Sequence, residues 1–187
     1  MRKVLVLGGS RSGKSSYAEQ LLDSHLEVTY LATSLVHDSD AEWADRVAAH
    51  RSRRPLTWTT LETTAPSELV RGGAVLVDSI TTWIAALMDE TGAWDATDSA
   101  GAHAAGQAGS AEAALGRLAE RCDALVNNWV MTPAHVVAVS DEVGLGVVPE
   151  TRAGRLFRDT LGTVNQRLAA TADEVWFVVA GLPQRLR

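Results

Sequence analysis

Lysine is almost missing from this chain of 187 residues: among its seventeen basic side chains only Lys3 and Lys14 are lysines, and the rest are arginines. Cysteine occurs once, at Cys122, which excludes a disulfide framework within the chain and argues against a thiol metal cluster. Set inside a helical pattern, that thiol reads as a small buried side chain. No apolar run approaches the length of a membrane span. The N-terminus enters a strand without a charged-then-apolar export signal, so the expected compartment is the cytoplasm. The formal net charge is −6, and there is no basic tract. That balance argues against a nucleic-acid binder, although a local basic cluster can still hold a small anion. No N-K-x-D segment follows the relevant strand, which argues against a signalling GTPase of the Ras type. Charged residues at 21% and hydrophobic residues at 46% are ordinary for a globular chain of this length. One domain over 1–187 is expected, with no internal repeat.

What is present begins with Gly8-Gly9-Ser10-Arg11-Ser12-Gly13-Lys14-Ser15, a complete G-x-x-x-x-G-K-[ST] motif. Lys3 to Leu7 before it reads as a buried strand, and Ser16 to Leu22 after it as a helix, which is the context the motif requires. Glycines let the backbone turn its N–H groups inward around phosphate, and the helix N-terminus adds partial positive charge. Lys14 is expected on the β- and γ-phosphates, and the Ser15 hydroxyl on Mg²⁺. A chain this poor in lysine still keeps one here, where a compact point charge on a flexible stem is needed.

The remaining chain alternates strands and helices. Strands are expected at Val28–Ala32, Leu56–Leu61, Ala74–Asp78, His135–Ser140 and Val175–Ala180. Helices are expected at about 40–53, in a short piece near 66–70, and at 80–88, 110–131 and 150–172. This pattern predicts an α/β P-loop NTPase fold, with a doubly wound, largely parallel sheet and helices on both faces. Residues 91–109 are rich in Gly, Ala, Ser, Asp and Thr, lack Lys and Arg, and read as a flexible excursion. His103 within it is given no role.

Three further constellations carry chemistry. Asp78 closes an apolar strand, the Walker B arrangement, and is expected on Mg²⁺ beside Ser15, with capping of the following helix as the alternative. On a helix over 40–53, Trp43, Arg46, Val47, His50, Arg53 and Arg54 crowd one side. On residues alone His50 reads more simply as a surface histidine on a basic face. The competing reading is a neutral imidazole, kept so by nearby guanidinium groups, that attacks phosphorus. Arg152, Arg155 and Arg158, with Asn165, share one side of the late helix, and serve equally well as a phosphate clamp or as helical ion pairs with Asp159 or Glu150.

Taken together, these blocks resemble the bifunctional adenosylcobinamide kinase / adenosylcobinamide-phosphate guanylyltransferase family. The resemblance runs over nearly the whole length. It rests on the P-loop, Tyr30-Leu31-Ala32-Thr33-Ser34, Arg46 to Arg51, Arg54-Pro55, Trp58 and Val75 to Asp78. It continues in Asp141 to Pro149, Phe157-Arg158-Asp159, Val164 to Ala169 and Ala172 to Val175. The resemblance implies two reactions: phosphorylation of adenosylcobinamide by ATP or GTP, and transfer of GMP from GTP to adenosylcobinamide-phosphate, giving adenosylcobinamide-GDP and pyrophosphate. It implies a guanylylated histidine at His50. It implies nucleotide contacts at Gly8 to Ser15 (Gly8, Gly9, Ser10, Arg11, Ser12, Gly13, Lys14, Ser15), at Ala32, Thr33 and Ser34, at Arg51, Ser52, Arg53 and Arg54, and at Glu62 and Asp78. Mg²⁺ would sit on Ser15 and Asp78. A homo-oligomer, a trimer, is also implied. The departures are Ser10 for a commoner alanine, aspartate rather than glutamate at Asp78, and a longer, Gly/Ala-rich 91–109. The other readings are a P-loop kinase of a different small metabolite and a non-catalytic nucleotide-binding switch.

Overall fold

A computed structural model describes residues 1–33, 55–70, 72–98 and 105–187. The helix expected over 40–53, with His50 and Arg51 to Arg54, lies outside the described residues, as do Ser34 and His103. The described chain runs β1 (Lys3–Gly8), α1 (Lys14–Gln20), β2 (Val28–Ala32), β3 (Thr59–Glu62), a 3₁₀ turn (Pro66–Val70) and β4 (Ala74–Asp78). It continues α2 (Ile80–Thr91), α3 (Ala93–Asp98), α4 (Ala105–Met131), β5 (His135–Asp141), α5 (Arg152–Thr171), β6 (Glu174–Val179) and β7 (Leu182–Arg185).

All seven strands form one sheet in the order β3-β2-β4-β5-β1-β6-β7. The first six are mutually parallel, and β7 returns antiparallel to β6. Parallel strands buried on both faces read as continuous apolar runs, and Val75, Leu76 and Val77 are buried accordingly. Chain progression leaves β1 toward β2 on one side and later reaches β6 on the other. Such a reversal opens a crevice at the carboxyl ends of the strands, where α/β sheets bind ligands.

The sheet faces are unequal among the described residues. Leu5, Leu31, Val75, Val77, Val136 and Ala138 pack under α2, α3, α4 and α5, with Trp83, Leu87, Trp129, Leu161 and Leu168 filling that layer. The opposite face sets Val4, Val6, Tyr30, Leu76, Val137 and Val139 against Ala18 and Leu22, next to α1, and against Trp58. Cys122 belongs to the thicker layer and is buried. Burial pushes its thiol up to about 11, so it is a packing group rather than a nucleophile at neutral pH.

Several elements differ from the sequence expectation. β3 begins at Thr59 rather than Leu56, because Leu56 and Thr57 form the turn after Pro55. α2 runs on to Thr91, where Gly92 takes the left-handed cap conformation at φ 73°. Part of 91–109 is helical: α3 occupies Ala93–Asp98, and α4 starts at Ala105 rather than Ser110. Trp94 stacks on Phe157 there, an anchor that composition hides. β6 stops at Val179, since Ala180 (φ 51°) and Gly181 (φ 80°) turn the chain into β7, a strand with no apolar alternation to announce it.

Trp83 is fully buried, and its Nε1 donates to the Thr64 carbonyl at 2.9 Å, tying α2 to the segment after β3. Trp83→Ala is expected to cost about 3–5 kcal/mol of unfolding free energy, measured by urea titration of the purified protein.

Candidate active site

The phosphate loop is shaped by close backbone approach. A Cβ on Gly8 would stand 2.5 Å from Ser12 Oγ and 2.7 Å from the Val178 carbonyl, so only glycine fits. Gly13 needs φ +92°, and its Cα faces Gly181, whose N–H donates to the Ser12 carbonyl at 2.7 Å. The unexpected β6–β7 turn therefore buttresses the loop. Ser12 N–H closes on the Gly9 carbonyl at 3.2 Å, and α1 begins directly at Lys14. The loop thus ends on a helix N-terminus with no side-chain cap, the electrostatic setting for an anion.

Lys14 Nζ lies 2.5 Å from Asp141 Oδ1 and donates to the Gly9 carbonyl at 3.2 Å. Asp141 supplies its countercharge. Asp141 stands opposite Gly8 in the β1–β5 register. Its backbone is held on both sides. Its N–H donates to Thr81 Oγ1 at 2.8 Å, and its carbonyl accepts from Asn165 Nδ2 at 3.0 Å. Asn165 is buried, and its Oδ1 accepts from Ser140 Oγ at 2.7 Å, so every polar atom of the amide is directed at the end of β5.

Asp78 ends β4. Its Oδ1 accepts from Ser15 Oγ at 3.3 Å and its Oδ2 from the Tyr30 hydroxyl at 2.7 Å. The capping alternative is answered by the next residue: Ser79 caps α2, accepting from Thr82 N–H at 3.2 Å. The Asp78 carboxylate is thereby left facing Ser15. A hydroxyl and a carboxylate oxygen are the hard donors Mg²⁺ takes, with water and phosphate oxygens completing its shell. No group of three or more His, Cys, Asp or Glu suited to a metal occurs among the described residues.

Across the sheet, Glu62, Ala32 and Asp78 share one register row, so these three expected positions reach the same edge of the crevice. Thr33 is fully buried beneath it. Its hydroxyl donates to the Ser79 carbonyl at 2.6 Å and accepts from the Ser79 N–H at 3.0 Å, so it braces the β4–α2 junction. The late-helix set divides. Arg155 donates to the Pro149 and Glu150 carbonyls, and Arg158 pairs with Asp159 at 2.9 Å. Asn165 faces the sheet rather than sharing a solvent face with them. Asp141 and Thr81 were not expected at the site, and Asn165, expected with the late-helix arginines, serves the end of β5 instead. Asp141 ends an apolar strand just as Asp78 does, and that was the available signal.

The sequence profile of the cobinamide kinase / cobinamide phosphate guanyltransferase family matches residues 4–186. This chain belongs to that family. It is 39% identical over 197 residues to the bifunctional adenosylcobalamin biosynthesis protein CobU of Salmonella typhimurium, with 98% of this chain and 99% of that protein aligned. The CobU protein of Escherichia coli is 40% identical over 191 residues, at 98% and 99% coverage. The bifunctional adenosylcobalamin biosynthesis protein CobP of Pseudomonas aeruginosa is 38% identical over 192 residues, at 98% and 96% coverage. Among solved structures, the P4 protein from bacteriophage phi6 in complex with ADP aligns with a TM-score of 0.40 and 16% identity, covering 98% of this chain and 54% of that one. The fold assignment rests instead on the parallel strand order and the phosphate loop between β1 and α1.

Asp141→Asn removes the carboxylate that pairs with Lys14. Asp141→Asn is expected to tighten Mg²⁺-free nucleotide binding about three- to tenfold at low salt, by isothermal titration, and the gain shrinks as salt is raised.

Proposed function

We propose that this chain performs both reactions of its family on one phosphate loop, using Mg²⁺ with ATP or GTP as nucleotide substrates. In the first reaction, the aminopropanol hydroxyl oxygen of adenosylcobinamide attacks the γ-phosphorus. The bond from that phosphorus to the β-bridging oxygen breaks, the nucleoside diphosphate leaves, and the hydroxyl proton is released to solvent. In the second, a ring nitrogen of His50 attacks the α-phosphorus of GTP and pyrophosphate leaves. A phosphate oxygen of adenosylcobinamide-phosphate then attacks the same phosphorus, the N–P bond breaks, and adenosylcobinamide-GDP forms with His50 restored.

The observation that carries this reading is the family match over residues 4–186, on a site where Lys14, Ser15 and Asp78 converge. Lys14 and the loop N–H groups hold the phosphates and meet the charge that builds on them as bonds break. Ser15 and Asp78 would hold Mg²⁺, which when bound would supply further charge neutralisation at the phosphates. Ala32, Ser34, Glu62 and Arg51 to Arg54 are assigned to the nucleotide by the resemblance, with Thr33 acting through the junction it braces. The same reading takes the enzyme as a cytoplasmic homo-oligomer, a trimer. No helix among the described residues is long and apolar enough to cross a membrane. Among the described residues, nothing favours a kinase of another metabolite or a non-catalytic switch.

Incubation with α-labelled GTP is expected to leave an acid-labile, base-stable protein–GMP adduct. His50→Asn should abolish the adduct and guanylyl transfer while keeping kinase activity. An unlabelled wild-type enzyme, or a His50→Asn variant that still takes label, contradicts the assignment.

A further inference from the structure

Next to the phosphate loop lies a cleft of about 500 Å³, between the loop that follows β5 and helix α5. Leu7, Glu142 and Val143 line one side, and Arg158, Asn165 and Gln166 the other. It is joined to the reacting centre through shared groups. Leu7 immediately precedes Gly8, and Glu142 N–H donates to the Gly8 carbonyl at 3.2 Å. Asn165 holds the backbone of Asp141, the partner of Lys14. A chain or arm lying in this cleft therefore ends beside the phosphates. A second groove, of about 380 Å³ between α4 and α5, contains no residue of the loop or of the β5 end.

At the same loop the chain displays Leu145, Val147 and Val148, which are 80%, 95% and 59% exposed. Three large aliphatic side chains within four residues, held out to solvent next to an active site, are an apolar contact surface without its partner. The cleft itself carries one guanidinium, Arg158. Its Nε and Nη2 both donate to a single oxygen of the largely exposed Asp159. An exposed pair of that kind is weak. An arriving phosphate, which takes two parallel N–H donors, displaces it readily.

Resting on the function proposed above, we propose that this cleft and its aliphatic rim form the corrinoid acceptor site. The cleft has the volume of an ordinary small-molecule pocket, too small for a whole corrinoid with its adenosyl ligand. It admits the aminopropanol arm, and the macrocycle rests outside on Leu145, Val147 and Val148. Arg158 then receives the phosphate that the arm carries in the second reaction only. The chemistry selects this occupant over a second copy of the chain: the aliphatic rim leads to Arg158, whose guanidinium lies in the cleft with the carboxylates of Glu142 and Asp159, and the cleft adjoins the phosphate loop through Leu7 and Glu142.

The test compares wild type, a Leu145→Asn/Val147→Asn double variant and Arg158→Gln. KM values are measured for adenosylcobinamide in the kinase reaction and for adenosylcobinamide-phosphate in the transferase reaction. Protein–GMP labelling from GTP alone is measured in parallel, because it needs no corrinoid. The double variant is expected to raise both acceptor KM values about tenfold, with labelling and nucleotide KM unchanged. Arg158→Gln is expected to raise KM for the phosphorylated acceptor about tenfold and to change KM for the unphosphorylated one little. Unaltered acceptor KM in both variants overturns the proposal, as does a loss of labelling that parallels the loss of acceptor use. A smaller assembly by sedimentation, with acceptor KM restored at high protein concentration, also overturns it and makes the rim an interface between copies. If wild type takes no label, the histidine mechanism fails, while the kinase-step KM values still decide the acceptor site.

Discussion

Everything at this site depends on how closely the backbone of Gly8 passes between Ser12 and the carbonyl of Val178. No side chain fits there, so the loop can curl tightly at the end of β1. The C-terminal turn completes the constraint through the Gly181 N–H bond to Ser12. The last strand pair therefore holds the loop in place through its turn. A loop held from behind keeps its donors oriented before the ligand arrives, which is the condition under which fixed dipoles stabilise developing charge most effectively.

Charge is organised around that loop with few groups. Lys14 is one of two lysines in the chain, and it is paired with Asp141. Asp78 is kept in place by Ser15 and Tyr30. Both carboxylates sit at the ends of neighbouring strands, and each is steadied by a helix behind it. Thr81 of α2 and Asn165 of α5 hold Asp141, and the Ser79 cap of α2 fixes the turn after Asp78. The thick helical layer thus acts on the site through hydrogen bonds to strand ends, not only as a hydrophobic cover.

The phosphate motif, the apolar strands and the Asp78 position were legible in the residues, because each rests on a local pattern: glycine spacing, a continuous apolar run, a carboxylate at its end. Strand order was not legible, since it is decided by which strands pair across long separations. That order sets β5 between β4 and β1 and so puts Asp141 against Lys14. Asn165 parts from the arginines with which spacing groups it, because an amide in a helix gives no sign that it will satisfy a buried strand end. β7 carries Pro183, Gln184 and Arg185 and is exposed throughout, so neither period nor burial marked it. The helical start of α4 was hidden by Gly106 and Gly109, poor helix formers set among alanines, the best ones.

The central claim is that one phosphate loop serves both reactions. Lys14→Ala tests it most directly, with kinase turnover and GMP labelling from GTP measured on the same folded preparation. The account predicts that both fall together, by about a hundredfold or more. Labelling or phosphorylation persisting at the wild-type rate while the other is lost would contradict it.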